Sequence, residues 1–210
     1  MGKSSGGIRG RGIAGTGDFM GEPVAKLRGA TEAGYTDKMM RNIVGIEQKY
    51  RTNKDETLHI FTPTGDLVRS IGGKGASVSA SPLSIPEDAI LTHNHPRSLG
   101  KKGINRIGNS FSNTDLYTMV GRNAREMRAV TPTYTFSMKR PKGGWGVKSE
   151  LQLTRAYNKA YREVQAEMEI YFYKRGFSTD AVARANATFY HKVNKKLAAS
   201  FGWDYTKKNR

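Results

Sequence analysis

The sequence predicts an α/β chain of the α+β kind, a small mixed β-sheet with flanking helices, preceded by N-terminal helices and followed by a C-terminal αα-hairpin. Three observations predict it. Residues 57–71 and 127–139 carry short β-rich runs at period two, as half-buried strands do. Apolar positions fall instead at helical spacing over 36–46, 116–120 and 153–201. Turn signals such as Pro63-Thr-Gly-Asp66 and Thr131-Pro-Thr133 separate the runs. The segments that follow are a flexible Gly/Arg-rich arm over 1–21, a helical segment over 22–54, a central α/β domain over 55–145, and a helical hairpin with a basic tail over 146–210.

Composition narrows the function. The 210 residues suffice for one domain with helical additions. There is no cysteine, so disulfides and thiolate metal ligands are excluded, and with them the zinc-finger class. No apolar run reaches the roughly 20 residues of a membrane span, and the N-terminus lacks the apolar core of a signal peptide. The expectation is a cytoplasmic protein, bacterial or phage-encoded, with association with a virion as the other location. A net charge of +17 favours polyanionic partners, nonspecific nucleic acid among them.

In chain order, Gly2 to Gly17 is rich in Gly, Ser and Arg and reads as an arm without a core of its own. Its GxGxxG-like spacing is weak, since no strand precedes it. Glu22-Pro23 opens one helix, with Pro at the first helical position. Thr36-Asp37 opens a second, carrying Met39, Met40, Ile43, Val44 and Ile46. Thr57 to Thr62 and Leu67 to Ile71 read as a hairpin. The Gly72-Gly-Lys74-Gly75 break then leads to a short strand near Ala76 to Ala80. Lys74 among glycines lacks the spacing of a phosphate loop. Leu116, Met119 and Val120 give a helix an inward face, and Met127 to Thr131 and Tyr134 to Lys139 complete the sheet. Ser149 with Gln152 forms a capping box for a long helix, Asp180 caps a second, and Lys207 to Arg210 is a basic tail. The hairpin has three open roles: packing on the sheet, dimerisation, or docking to another protein.

The chemistry is concentrated in Leu91-Thr-His93-Asn-His95-Pro96 and Ser112-Asn-Thr-Asp115. Histidines two apart on a strand project to the same side, so both imidazoles can meet one ion. Asp115 falls in the first turn of a helix capped by Ser112 and is placed to return as a third ligand. Three protein ligands leave the fourth position of a tetrahedral zinc to water, the arrangement of catalytic sites. His59 and His191 read as packed or surface residues. Arg97, Lys101, Lys102 and Arg106 line a loop without acids, suited to gripping an acidic substrate or nucleic acid.

His93-Asn-His95-Pro96, then Ser112-x-x-Asp115, with Glu56 upstream at the head of Glu56-Thr-Leu-His-Ile-Phe, resembles the JAMM metalloprotease domain, also called the MPN or JAB domain. Its RadC-type and prokaryotic JAB branches write the pair as His-Asn-His-Pro too. The likeness spans Asp55 to Lys139; the stretch from Arg97 to Phe111 is longer than the family's usual gap. The resemblance implies that His93, His95 and Asp115 hold Zn2+, that Glu56 is the general base and acid, and that Ser112 stabilises the oxyanion. It implies a metalloprotease or isopeptidase acting on a protein or peptide, conjugated proteins included. Glu47, beside Lys49 and Arg51, is the rival base but reads as a surface charge. The alternative function is a basic nucleic-acid-binding or virion-associated structural protein that keeps the fold without turnover. A metal-dependent nuclease fits the charge but lacks the carboxylates of a two-metal site.

Overall fold

A computed structural model of the chain describes residues 35–75, 85–96, 100 and 108–209. In order they form α1 (Asp37–Tyr50), β1 (Thr57–Phe61), β2 (Leu67–Gly72), β3 (Ile90–Asn94), α2 (Asn113–Gly121), β4 (Glu126–Val130), β5 (Tyr134–Lys139), α3 (Glu150–Arg175), α4 (Thr179–Phe201) and β6 (Asp204–Asn209). The strands make one sheet in the order β2-β1-β3-β4-β5-β6. Only β3 and β4 are parallel, joined through the crossover helix α2. The fold is therefore mixed α+β. The helix opening at Glu22, the arm over 1–21, the strand near 76–80 and the four loop cations Arg97, Lys101, Lys102 and Arg106 lie outside the described residues.

Strand alternation sorts the core. Leu58, Ile60, Leu91, Met127, Ala129, Phe136 and Met138 share one buried cluster with Leu116 and Met119 of α2, Leu153, Tyr157, Ala160 and Val164 of α3, and Val193 and Leu197 of α4. Each fully buried Leu, Ile, Val, Met or Phe among them contributes about 1.5–3 kcal/mol. Phe61 and Ile90 turn the other way and meet Met39 and Ile43 of α1. The hairpin thus shares its core with the sheet. Trp145 and Trp203 knit the join: Trp203 Nε1 donates to the Trp145 carbonyl at 2.7 Å, and Trp145 Nε1 to that of Ala124 at 3.0 Å. Among the apolar positions of α3, burial of this kind ends at Val164; Met168 and Tyr171, further along, are only partly buried.

Four local expectations need correction. Glu47 is not a surface charge: it is 1 % exposed and sits under α1 against Arg128. It continues the i, i+4 row of Met39 and Ile43, so helix geometry carries it into the sheet. Ser178, not Asp180, caps α4, its Oγ accepting from Ala181 N at 3.2 Å while Asp180 lies in the first turn. Gln152 does not close a box on Ser149; its side chain accepts from Lys148 N at 2.7 Å. The basic tail, as far as Asn209, belongs to strand β6, antiparallel to β5 from Tyr134 opposite Asn209 to Lys139 opposite Asp204. Its alternation turns Tyr205 inward, and the Lys207 ammonium rests 4.0 Å above the Tyr134 ring centre.

Candidate metal centre

The site stands at the carboxyl end of β3, beside its parallel partner β4, where chain connections open crevices in such sheets. His93 is buried on the face that carries Leu91, opposite Leu58 on β1 and Ala129 on β4. His95 follows one residue past the strand, and the two Nε2 atoms lie 2.8 Å apart. Glu56, immediately before β1, brings Oε1 to 4.0 Å from His93 Nε2. Ligand atoms of Glu56, His93 and His95 all fall within 4.8 Å of one another, so this cluster can hold a metal ion. Asp115 reaches in from the first turn of α2, with Oδ1 3.5 Å from His93 Nε2. Residues from three separate parts of the chain converge on one point.

Each group is aimed by its other bonds. Asp115 Oδ2 accepts from Ser112 N at 2.7 Å and from Ser112 Oγ at 2.8 Å, closing a capping box that turns Oδ1 toward His93. The Ser112 hydroxyl thus gives its proton to Asp115. To serve an oxyanion it must rotate away from that bond. His95 Nδ1 lies 2.7 Å from the Asn109 carbonyl. A carbonyl only accepts, so Nδ1 carries the proton and Nε2 keeps the lone pair, which is the ligating tautomer. Burial pushes the His93 pKa down, but the Asp115 carboxylate, aided by Glu56, outweighs it and holds it above the ordinary value. Burial acts to raise Asp115, yet His93 holds its carboxyl well below the usual range. Two acids beside two imidazoles favour a cation between them.

The donor set suits zinc. Two imidazole nitrogens at about 2.0–2.1 Å from a tetrahedral zinc stand about 3.3 Å apart. The Nε2 pair therefore needs to open by only about 0.5 Å, within the reach of two side-chain rotations.

Asn94, between the histidines, must face the other side, and there it fixes the segment that delivers Glu56. Its Oδ1 accepts from Thr57 N at 2.8 Å, and its Nδ2 donates to the carbonyls of Asp55 at 3.1 Å and Asn53 at 3.3 Å. The glycine break closes on the same segment. Gly73 N donates to the Glu56 carbonyl at 2.8 Å, Glu56 N to that of Gly75 at 2.6 Å, and Gly75 N to Asp55 Oδ1 at 2.8 Å. Gly75 has φ of +60°, a conformation that glycine adopts without strain. In the sequence this glycine run reads only as a weak phosphate loop, and Asn94 stands out only as the residue between two histidines. The signal was available: a polar residue in a fully buried strand needs buried partners.

Glu47 lies on the opposite face of the sheet. It accepts from Thr92 Oγ1 at 3.0 Å and Arg128 Nη2 at 3.1 Å, and Arg128 also pairs with Glu126 at 2.9 Å. Thr92 and His93 are consecutive on β3 and point apart, so Glu47 is walled off from the histidines by the sheet itself. Around it Ser70, His59, Thr92, Arg128, Ser137 and Thr206 stand side by side across all six strands. His59 is packed there, 2.8 Å from Ser70 Oγ and against the Tyr50 ring. His191, half-buried, rests on Phe136 and Tyr205.

Among the described residues no helix is long and apolar enough to cross a membrane. Compared with protein-family models, curated proteins and solved structures, the chain matches none.

Proposed function

We propose that the chain is a zinc-dependent hydrolase of peptide or isopeptide bonds. The convergence of Glu56, His93, His95 and Asp115 at the end of β3 carries this reading. The same residues support it through their resemblance to the JAMM motif. His93, His95 and Asp115 would hold the ion, which would supply a Lewis acid to activate water and polarise the scissile carbonyl. Glu56 is one-tenth exposed and aimed at the same point. It takes the proton of the attacking water and returns it to the departing amine. Ser112, released from Asp115, donates to the oxygen on which charge develops. The sheet and α2 position Glu56, His93, His95 and Asp115 before substrate arrives, and Ser112 alone must leave its bond to Asp115.

Metal analysis tests the reading first. Purified protein should hold about one zinc per chain, and His93→Ala should remove most of it. A wild-type protein that stays metal-free after reconstitution refutes the proposal. A second reading, a basic nucleic-acid-binding or virion-associated protein, is favoured by the net charge of +17. It requires binding that weakens steeply with salt and survives His93→Ala, because phosphate contacts need no metal. Gel-shift titration at low and high salt separates the two.

A further inference from the structure

We infer that the C-terminal elements α4 and β6 set the geometry of the metal centre, with Asn194 and Tyr205 as positioning residues that act through the loop 109–112. This rests on the metal reading above. The four loop residues are each held. The Asn109 carbonyl orients His95, and Ser112 orients Asp115. The two residues between them are tied to the far end of the chain. Ser110, 2 % exposed, has its Oγ 2.7 Å from the Tyr205 hydroxyl. That hydroxyl is also 2.9 Å from His191 Nδ1. The Phe111 carbonyl accepts from Asn194 Nδ2 at 2.8 Å. The Phe111 ring lies between Tyr205 and His93, with centres 6.2 and 6.5 Å away. One ligand's hydrogen-bond acceptor and another ligand's cap therefore take their positions from groups on α4 and β6.

Asn194 is what separates positioning from ordinary packing. It is fully buried on the apolar face of α4, and among the described residues its Oδ1 has no partner. An unmatched buried acceptor lowers stability, and leucine would fill the same space without one. The amide is thus a poor choice for the core, and among the described residues its side chain bonds only to the loop that carries the site. Tyr205 offers the matching case from β6: its ring packs on Phe111 with or without the hydroxyl, so the hydroxyl can be removed alone.

The test uses the full chain, the zinc ion and the cobalt ion as its spectroscopic substitute. Removing a partner outside the ligand shell typically weakens metal affinity 10–100-fold. Asn194→Leu should leave the melting temperature of the metal-free protein equal or higher, yet weaken zinc binding by about 10-fold. It should also shift the visible absorption of the cobalt form, because the angles between ligands relax. Tyr205→Phe should weaken binding in the same way and decides alone if Asn194→Leu does not fold. Wild-type zinc affinity together with an unchanged cobalt spectrum in the folded variants overturns the inference, whatever their melting temperatures. Absence of metal from the wild type would instead bring down the reading beneath it, and this inference with it.

Discussion

The two buried glutamates, Glu47 and Glu56, should fail in opposite ways when each is changed to glutamine. Glu47 neutralises Arg128 beneath α1, with both side chains almost wholly withdrawn from water. Breaking one partner of such a pair costs about 3–5 kcal/mol, since the other charge stays buried. Arg128 keeps Glu126 at 2.9 Å, so the lower end applies, about 3 kcal/mol for Glu47→Gln. At roughly 2–4 °C per kcal/mol for a chain of this size, its melting temperature should fall by about 6–12 °C. Zinc content and turnover below that transition should stay at wild-type levels, because the sheet stands between Glu47 and the histidines. Glu56→Gln should do the reverse: turnover lost, zinc retained, melting temperature within a few degrees. Thermal melts, metal analysis and hydrolysis of peptide and isopeptide-linked substrates read all three quantities. An active Glu56→Gln protein, or an inactive but stably folded Glu47→Gln protein, would refute the assignment of the base.

Ser112→Ala should lower turnover by about 10²-fold, as loss of one oxyanion donor does, and reduce stability by about 1 kcal/mol through the lost cap. Steady-state kinetics and urea titration check the pair of effects, and Ser112→Thr should restore the stability. If the site holds a metal, proton and metal should compete for His93. Its raised pKa stabilises the metal-free fold below pH about 6.5, and that contribution fades as pH rises through the folded value. Zinc needs the neutral ring, so the rise in melting temperature on adding zinc should be larger at about pH 8 than at about pH 6. His59 gives the opposite slope. Burial, helped by His93, holds its pKa down at about 4, so the unfolded chain takes the proton first as pH falls. Stability should drop between pH about 6.5 and about 4 by at most about 3 kcal/mol, and His59→Phe should flatten that drop in urea titrations.

The sheet was legible where its signals are local. β1, β2, β4 and β5 show in β-rich runs between turn residues, and Ser112 and Ser149 mark helix starts by capping chemistry. The histidine pair was legible for the same reason, because spacing by two on a strand fixes a common side. Glu47 was misread because Lys49 and Arg51 beside it suggested solvent. Arg51 is itself buried, donating to Thr135 Oγ1 at 2.9 Å and to the Thr131 carbonyl. The row Met39, Ile43, Glu47 held the better signal. β6 was missed because lysines at Lys207 and Lys208 dominate its composition, while its strand state comes from β5, a neighbour some 65–75 residues earlier in the chain. Asn194 was invisible for a related reason: its meaning depends on Phe111, and no helical pattern carries that information.

The polar layer beneath α1 bears on the site through register. Side chains on a strand have period two, so a slip of one residue in β3 would send His93 toward α1 and Thr92 toward α4. Apolar packing alone resists such a slip weakly here, because Ile90 and Leu91 are both apolar and either can face either cluster. What discriminates is the polar set. In the native register Thr92 lies beside Arg128 and reaches Glu47, and Asn94 meets the backbone of 53–57. A slip would put Leu91 or His93 against Glu47 and take from its buried carboxylate the hydroxyl donor that Thr92 supplies. Buried ionic groups add little net stability over apolar ones, but an unmatched one is costly, so they penalise wrong pairings more than they stabilise the right one. The motif His93-Asn94-His95 therefore works on both sides of the sheet at once. Its odd-numbered residues bring their nitrogens to the candidate metal centre, while Asn94 and the neighbouring Thr92 anchor the strand that holds them there.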